Sequence, residues 1–257
     1  MKFETAYITN IGKKTTNQDA LLIKEIRTPE GNMLFASICD GMGGIQKGEF
    51  ASSEVIHAFD HWFQNEVHII IETGAFSEER LFYEWENVIQ RMNSYLIAYG
   101  RQNNIQLGTT LAGLLLFRDK YYTVNVGDSR IYEVAELGMQ CLTKDQSLVM
   151  WEVEQGRLSP EELEHDPRRN ILLQCIGASG TVQPDYSSGK LEYDAVYMLC
   201  CDGFRHEIQP KEFYELLRPS AQKDGKMLQE HLNQLLEMNL SRNESDNITA
   251  IGIRFAK

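Results

Sequence analysis

The pattern of hydrophobic and polar residues over the first forty positions is typical of β-strands. Residues 3–9 alternate with the two-residue period of a strand, and strand-like segments follow at 20–27 and 33–39. A Pro-x-Gly turn at 28–32 separates the second and third segments and predicts a β-hairpin. Further short apolar segments predict strands at 109–117, 121–126, 131–134, 196–201 and 248–255.

Two longer segments change to the period of 3.6 residues that is typical of helices. The segment 49–71 places its apolar residues on one face, and the segment 77–99 does the same, with Gly100 as a helix end. Shorter helices are predicted at 210–217 and 226–238. Because strands and helices come in separate runs, the pattern favours an α+β fold with antiparallel sheets and helices packed outside them.

A helix start is also predicted at Ser159. This residue is followed by Pro160 and, three positions on, by Glu162, which is the order of an N-cap, a first-turn proline and a capping-box glutamate.

Length and charge narrow the functional classes. The 257 residues are 42% hydrophobic, enough for one large core. Apolar runs such as 111–117 are far shorter than the roughly 20 residues of a membrane span. The N-terminal residues lack a secretory pattern, so we expect a cytoplasmic protein without membrane contact. The net charge of −12, with no Lys/Arg cluster longer than two residues, argues against nucleic-acid partners.

The cysteines give no sign of a metal or disulfide framework. Their number is odd, and no pair has C-x-x-C spacing. Cys39, Cys200 and Cys201 lie in apolar strand segments and are predicted to be buried hydrophobic residues.

Aspartates stand at the ends of the apolar strand segments, at Asp19, Asp40, Asp128, Asp202 and Asp246. Each alone is explained by an ordinary turn, since Asp-Gly and Asp-Asn pairs are common there. Taken together they indicate a cluster, because converging carboxylates cannot all stay ionised without cations. Oxygen ligands of this kind suit Mg²⁺ or Mn²⁺, and Gly41 would let its backbone carbonyl approach an ion.

Six short motifs, in this order, resemble those of the type 2C (PPM) metal-dependent serine/threonine protein phosphatases of bacterial type. They are Thr16-Asn17-Gln18-Asp19-Ala20, Cys39-Asp40-Gly41-Met42-Gly43-Gly44, Gly108-Thr109-Thr110-Leu111, Val126-Gly127-Asp128-Ser129-Arg130, Cys201-Asp202-Gly203 and Ser245-Asp246-Asn247-Ile248-Thr249. The resemblance extends from residue 7 to residue 255. It implies a four-layer α-β-β-α sandwich of two antiparallel sheets flanked by helices. A single catalytic domain would occupy residues 1–257, with a flap segment at about 145–176 beside the active site.

The same resemblance implies a role for each aspartate. Asp40 would bridge two Mn²⁺ or Mg²⁺ ions, and the Gly41 carbonyl would bind one of them. Asp202 and Asp246 would complete the ligands of the second ion, and Asp19 would bind an ion directly or hold its bound waters. Asp128, with Asp202, corresponds to the third-ion site of bacterial members, and Asn247 would support the Asp246 loop.

The resemblance implies hydrolysis of phosphoserine and phosphothreonine by a metal-activated water, with Asp40, Asp202 and Asp19 as the catalytic residues. Phosphorylated proteins would be the substrates, and a serine/threonine kinase with its targets would be the partners. Asp40→Asn and Asp202→Asn are each expected to lower activity at least about 100-fold, since each removes charge from the metal cluster.

Lys14 departs from the family pattern, because many members carry an arginine at this position. Lysine attracts a substrate phosphate as a point charge but cannot form the two-pronged contact of arginine. We therefore expect Lys14→Arg to keep or improve catalytic efficiency. The alternative is that Lys14 is a solvated loop residue without a role in binding.

Two other functions remain open at this stage. A catalytically weak phosphatase-like module could bind phosphoproteins or regulate a kinase, and Lys14 favours it. A hydrolase acting on another phosphoester, such as a nucleotide, is the second, although the chain has no P-loop or dinucleotide motif.

Overall fold

Eleven strands form the sheets of the computed structural model, which describes residues 2–42, 47–163 and 166–255. They are β1 (Phe3–Asn10), β2 (Asp19–Thr28), β3 (Gly31–Met42), β4 (Gly108–Thr109), β5 (Leu111–Phe117), β6 (Lys120–Val126), β7 (Arg130–Ala135), β8 (Gly138–Cys141), β9 (Asp185–Lys190), β10 (Val196–Cys200) and β11 (Ile248–Phe255).

Helices cover both outer sides of the sheets. In the described ranges they are α1 (Gly48–Asn65), α2 (Val67–Glu72), α3 (Glu78–Asn103), α4 (Leu148–Glu154), α5 (Pro160–Leu163), α6 (Asp202–Arg205), α7 (Pro210–Leu217) and α8 (Gly225–Ser241). Over this part of the chain, no helix has the length and apolar character needed to span a bilayer.

The strands pair in two antiparallel sheets. One has the order β1-β11-β10-β7-β8, and the other has the order β2-β3-β5-β6-β9 with β4 added beside β3. The predicted hairpin is confirmed: β2 pairs with β3 from Asp19 opposite Asp40 to Thr28 opposite Gly31. Its tight turn therefore lies at one end of the sheet, and the two aspartates lie at the other end.

Side-chain alternation along β3 divides the core into two layers. Leu34 and Ile38 belong to the cluster that fills the space between the sheets, whereas Met33 and Phe35 pack with residues of α1 and α3. On the far side, α8 packs on β1 and β11. The layers therefore follow the order helix, sheet, sheet, helix, and the predicted α+β sandwich is confirmed.

Two helix predictions need correction. The segment 49–71 is broken at Glu66, where φ is −110° and α1 gives way to α2, although the buried face continues beyond the break. The second helix does not end at Gly100. It continues to Asn103 and ends at Asn104, which adopts a left-handed conformation with φ of 55°. Gly100 stays helical, and a Cβ there would lie 2.8 Å from the carbonyl oxygen of Ile105.

The strands β8 and β9 were not predicted, because both are polar edge strands without clear alternation; β8 is largely exposed and β9 is half-buried. The capping box at Ser159 is confirmed. Glu162 N donates to Ser159 Oγ over 3.3 Å, and Ser159 N donates to Glu162 Oε2 over 2.9 Å, at the start of α5.

Candidate metal centre

Antiparallel pairing of β2 with β3 places Asp19 directly opposite Asp40 at the end of the hairpin. A carboxylate oxygen of each and the Cys201 sulfur all lie within 4.8 Å of one another. Both carboxylate oxygens of Asp19 are buried, and neither has a hydrogen bond of ordinary geometry to any described residue. Oxygens left in this way are available to a cation.

The electrostatics of the pair point the same way. Burial raises the pKa of Asp19 to about 7; contacts with Thr249 and Cys201 oppose the rise, and the charges of Asp202 and Asp246 add to it. Burial also raises the pKa of Asp40 well above its usual range, and the charges of Asp19 and Asp202 raise it further. The two carboxylates therefore cannot both be ionised near neutral pH unless positive charge lies between them.

The backbone of Asp40 is held by Thr109, the last residue of β4, and by Thr110, between β4 and β5. Its N–H donates to Thr110 Oγ1 over 2.9 Å, and its carbonyl accepts from Thr109 Oγ1 over 3.0 Å and from the Thr110 N–H over 2.9 Å. The next residue, Gly41, leaves no room for a side chain, because a Cβ would lie 2.2 Å from the carbonyl oxygen of Gly48. Both features fix the course of the backbone at Asp40 and Gly41.

Asp202 and Asp246 come from the other sheet. Asp202 begins α6 directly after β10; it is buried, and no described residue is a hydrogen-bond partner for its Oδ1. Asp246 precedes β11 and accepts from the Asn247 N–H over 2.8 Å. The charges of both aspartates raise the pKa of Asp40, so the two sheets bring their acids to one site.

Asn247 connects the two loops that carry these acids. Its Oδ1 accepts from the Gln18 N–H over 2.8 Å, and its Nδ2 donates to the carbonyls of Ile11 and Thr16 over 2.9 and 3.2 Å. The loop that leads into Asp19 is therefore fixed to the residue that follows Asp246.

Asp128 lies close enough to Asp202 and Asp40 for their carboxylate charges to interact. It is buried after β6, and its Oδ2 is 3.9 Å from Arg205 Nη2. Burial and the Asp202 charge raise the pKa of Asp128 to about 7, while Arg205 opposes the rise. Across the described chain, the group of three metal-binding side chains at close range consists of Asp19, Asp40 and Cys201, and the predicted ligands Asp128, Asp202 and Asp246 are not part of it.

The sequence model of the protein phosphatase 2C family matches residues 9–237 of this chain. The chain belongs to the protein phosphatase 2C family. The serine/threonine phosphatase stp of Listeria innocua is 29% identical to this chain over 218 residues, covering 83% of this chain and 81% of its own. The protein phosphatase PhpP of Streptococcus pneumoniae is 27% identical over 216 residues, covering 83% of this chain and 84% of its own.

Solved structures agree with the family assignment. The serine/threonine phosphatase Stp1 from Staphylococcus aureus has a TM-score of 0.86 and 27% identity, covering 100% of this chain and 96% of that one. A second structure of the same fold is the catalytic domain of the phosphatase PstP in complex with two manganese ions. It has a TM-score of 0.79 and 23% identity, over 99% of each chain. This protein phosphatase 2C is thus a bacterial-type serine/threonine phosphatase.

Lys14 of this phosphatase 2C lies at the rim of the site and forms an ion pair with Asp246. The Nζ to Oδ1 distance is 3.0 Å, and 45% of the lysine side chain is exposed. Partial burial works against its charge, but Asp246, then Asp202 and Asp40, outweigh it and raise the pKa of Lys14. The lysine is therefore charged and close to the acids, which is compatible with its expected role in phosphate binding.

Three residues beside the acids of this phosphatase 2C were not predicted. His206 lies between two carboxylates, with Nε2 3.6 Å from Asp202 Oδ2 and Nδ1 3.6 Å from Glu244 Oε2. Glu244 Oε1 in turn accepts from the Asp246 N–H over 2.7 Å. The third residue is Arg205. Only the position of the histidine, four residues after Asp202, offered a signal, because residues four apart share a helix face.

The three cysteines of this phosphatase 2C that were predicted to be buried have that environment. Cys39, Cys200 and Cys201 are buried and form no disulfide. Cys201 accepts from the Thr249 N–H and donates to the Asn247 carbonyl, and burial raises the pKa of its thiol well above the usual value. A protonated thiol is a poor ligand for Mg²⁺ or Mn²⁺. Two motif residues, Gly43 and Gly44, lie outside the described residues.

Proposed function

We propose that this phosphatase hydrolyses phosphoserine and phosphothreonine in proteins with two divalent ions bound at the aspartate cluster. Asp40 would contact both ions, and the Gly41 carbonyl would bind one of them. Asp202 and Asp246 would hold the second ion, and Asp19 would bind an ion directly or through water. The observation that carries the proposal is the set of buried oxygens of Asp19 and Asp202 without hydrogen-bond partners.

The residues present suit hard cations. The donors are carboxylates and a backbone carbonyl, which are the ligands that both Mg²⁺ and Mn²⁺ prefer. When bound, the ions supply a nucleophilic water near neutral pH and offset the charge of the phosphoryl oxygens. The raised pKa values of Asp19 and Asp40 fit this reading, since both carboxylates lack the positive charge that would keep them ionised.

The protein residues do the positioning. Asn247 keeps the loop before Asp19 in register with Asp246. Thr109 and Thr110 hold the Asp40 backbone, so that its carboxylate keeps one orientation while the phosphoryl group reacts. Lys14, at the rim, would attract the phosphate of the substrate through its charged amine.

The segment 145–176 of this single catalytic domain, residues 1–257, would serve as the flap that faces the phosphoprotein. Its first residues are fixed to the metal side of the molecule. Gln146 Oε1 accepts from the Gly127 N–H over 2.9 Å, beside Asp128. Surface segments held at an active site in this way often contact substrates. The substrates would include a serine/threonine kinase and its targets.

The test is release of phosphate from a phosphothreonine peptide and from p-nitrophenyl phosphate, with Mn²⁺, with Mg²⁺ and with EDTA. We expect turnover of the peptide with Mn²⁺ or Mg²⁺ and none with EDTA. Asp40→Asn should reduce it at least about 100-fold. Asp119→Asn, in the exposed turn between β5 and β6, is the matched control and should leave the rate unchanged.

Two results would contradict the proposal. Turnover that persists in EDTA would show that the reaction does not need a divalent ion. Binding of Mn²⁺ and of the phosphopeptide without turnover would favour the phosphoprotein-binding module instead.

A further inference from the structure

Each carboxylate of the suggested third-ion site is faced by a cationic or basic side chain of the protein. Asp128 Oδ2 lies 3.9 Å from Arg205 Nη2, and Asp202 Oδ2 lies 3.6 Å from His206 Nε2. Arg205 and His206 follow Asp202 by three and four residues, at α6. Their side chains therefore lie on the same side of this helix as the Asp202 carboxylate.

Arg205 is fixed in this place by several contacts. Its Nη2 donates to the backbone carbonyl of Asp128 over 3.2 Å and lies 3.5 Å from Asp145 Oδ2. Only 17% of its side chain is exposed. Asp145 is already bound by Arg130, whose Nε and Nη2 donate to its two oxygens over 2.7 Å each. Two arginines therefore face two buried aspartates, and the charge of Asp128 has its partner within the protein.

We propose that Arg205 takes the place of a third divalent ion, so that its guanidinium balances Asp128 and the enzyme works with two ions. This inference rests on the proposed two-ion function. It differs from the third-ion role that the resemblance implies for Asp128 and Asp202.

Arginine can balance the charge of Asp128 at every physiological pH. A guanidinium is charged at every physiological pH and cannot leave by losing a proton. A divalent ion on Asp128 would lie beside this charge and would have to displace a nearly buried side chain. Because Arg205 also contacts Asp145, where the segment 145–176 begins, it joins that segment to the metal side without an ion.

The experiment counts Mn²⁺ bound to the 257-residue protein, by equilibrium dialysis and by electron paramagnetic resonance of the free ion. Four proteins are compared: wild type, Asp128→Asn, Arg205→Gln and Arg205→Lys. We expect two ions in the wild type and two in Asp128→Asn. The affinity of Asp128→Asn for each Mn²⁺ ion should differ from that of the wild type by less than about tenfold. Removing a residue that supports a metal ligand usually costs at least that much.

Arg205→Gln should admit one additional ion, because it removes the charge but keeps a side chain of similar length. That ion should be lost again in the Arg205→Gln/Asp128→Asn double variant. Arg205→Lys keeps the positive charge and should remain at two. If Arg205→Gln does not fold, the wild type and Asp128→Asn still decide the question.

Three ions in the wild type, with one lost in Asp128→Asn, would overturn the proposal. An unchanged count in folded Arg205→Gln would overturn the role of Arg205. Failure of the two-ion function itself gives a different result, which is no bound Mn²⁺ in the wild type.

Discussion

The charged form of the Asp19 side chain is unfavourable in the folded protein unless a cation is bound nearby. Its pKa rises from 3.8 to about 7 because the carboxylate is buried beside other acids. The folded protein therefore keeps a proton on Asp19 at pH values at which the unfolded chain has lost it. By linkage, the free energy of unfolding of the metal-free protein falls as the pH rises from about 4 to about 7.

Asp19→Asn should remove this part of the pH dependence, since the amide has a similar shape and no charge to bury. In EDTA at pH 8, the variant should be more stable than the wild type by at least about 1 kcal/mol, because one pKa unit corresponds to about 1.4 kcal/mol. At pH 5 the difference should shrink. Urea unfolding at the two pH values measures it, and exposed Asp119→Asn is the control. An equal gain at both pH values would contradict the burial argument.

At the level of single residues, the sequence predicted the acids but not their neighbours. Asp40 and Asp202 stand out because each follows an apolar run of the sequence and precedes a glycine. Arg205, His206 and Glu244 carry no such pattern. These three residues lie beside the acids because α6 packs near the loop before β11. This contact joins distant parts of the chain, so spacing along the sequence does not reveal it.

Among the elements, the loop between β1 and β2 depends most on a distant residue. Asn247 provides three hydrogen bonds to the backbone of this loop. Asn247→Ala would leave three part-buried backbone groups of this loop without their protein partners, at a cost of about 1–3 kcal/mol. Because the loop leads to Asp19, affinity for Mn²⁺ should fall about 10-fold or more, as is usual when the support of a ligand is removed.

Two measurements separate these effects. Urea unfolding in EDTA reports the loss of stability, and calorimetric titration with Mn²⁺ reports the affinity. Asn65→Ala is the control, because exposed Asn65 donates only locally, to the His61 carbonyl. Unchanged Mn²⁺ affinity in folded Asn247→Ala would show that the loop does not need this support.

Element boundaries were predictable where burial decides them and not elsewhere. The strands β5 and β11 are buried throughout, so their apolar composition marks them clearly. The edge strand β9 is polar, and its place in the sheet comes from pairing with β6. The break at Glu66 likewise leaves the apolar stripe intact, so periodicity could not reveal it.

For the whole molecule, the layer between the two sheets holds together the two halves of the metal centre. Leu114 is fully buried in this layer. Leu114→Ala should lower the free energy of unfolding by about 2–5 kcal/mol, because it leaves a cavity that the sheets cannot close. Phosphatase activity per folded molecule should stay near wild type at low temperature, since the residue does not touch the acids. Thermal unfolding and steady-state rates test both statements.

Leu137→Ala is the matched control for that substitution, because Leu137 is fully exposed. It should change stability by no more than about 0.5 kcal/mol, as is usual for surface positions. A comparable loss in the two variants would mean that the inter-sheet layer is not what limits stability.

The β2–β3 hairpin is closed at one end by its tight turn and at the other by Asp19 opposite Asp40. When cations are scarce, this end must either keep a proton on a buried carboxylate or hold two like charges opposite each other. Like charges directly opposite weaken strand pairing, so we expect the hairpin to fray first at this end as the pH rises. Local fraying exposes backbone to proteolysis. We therefore expect cation supply to govern the lifetime of this phosphatase in a cell as well as its rate.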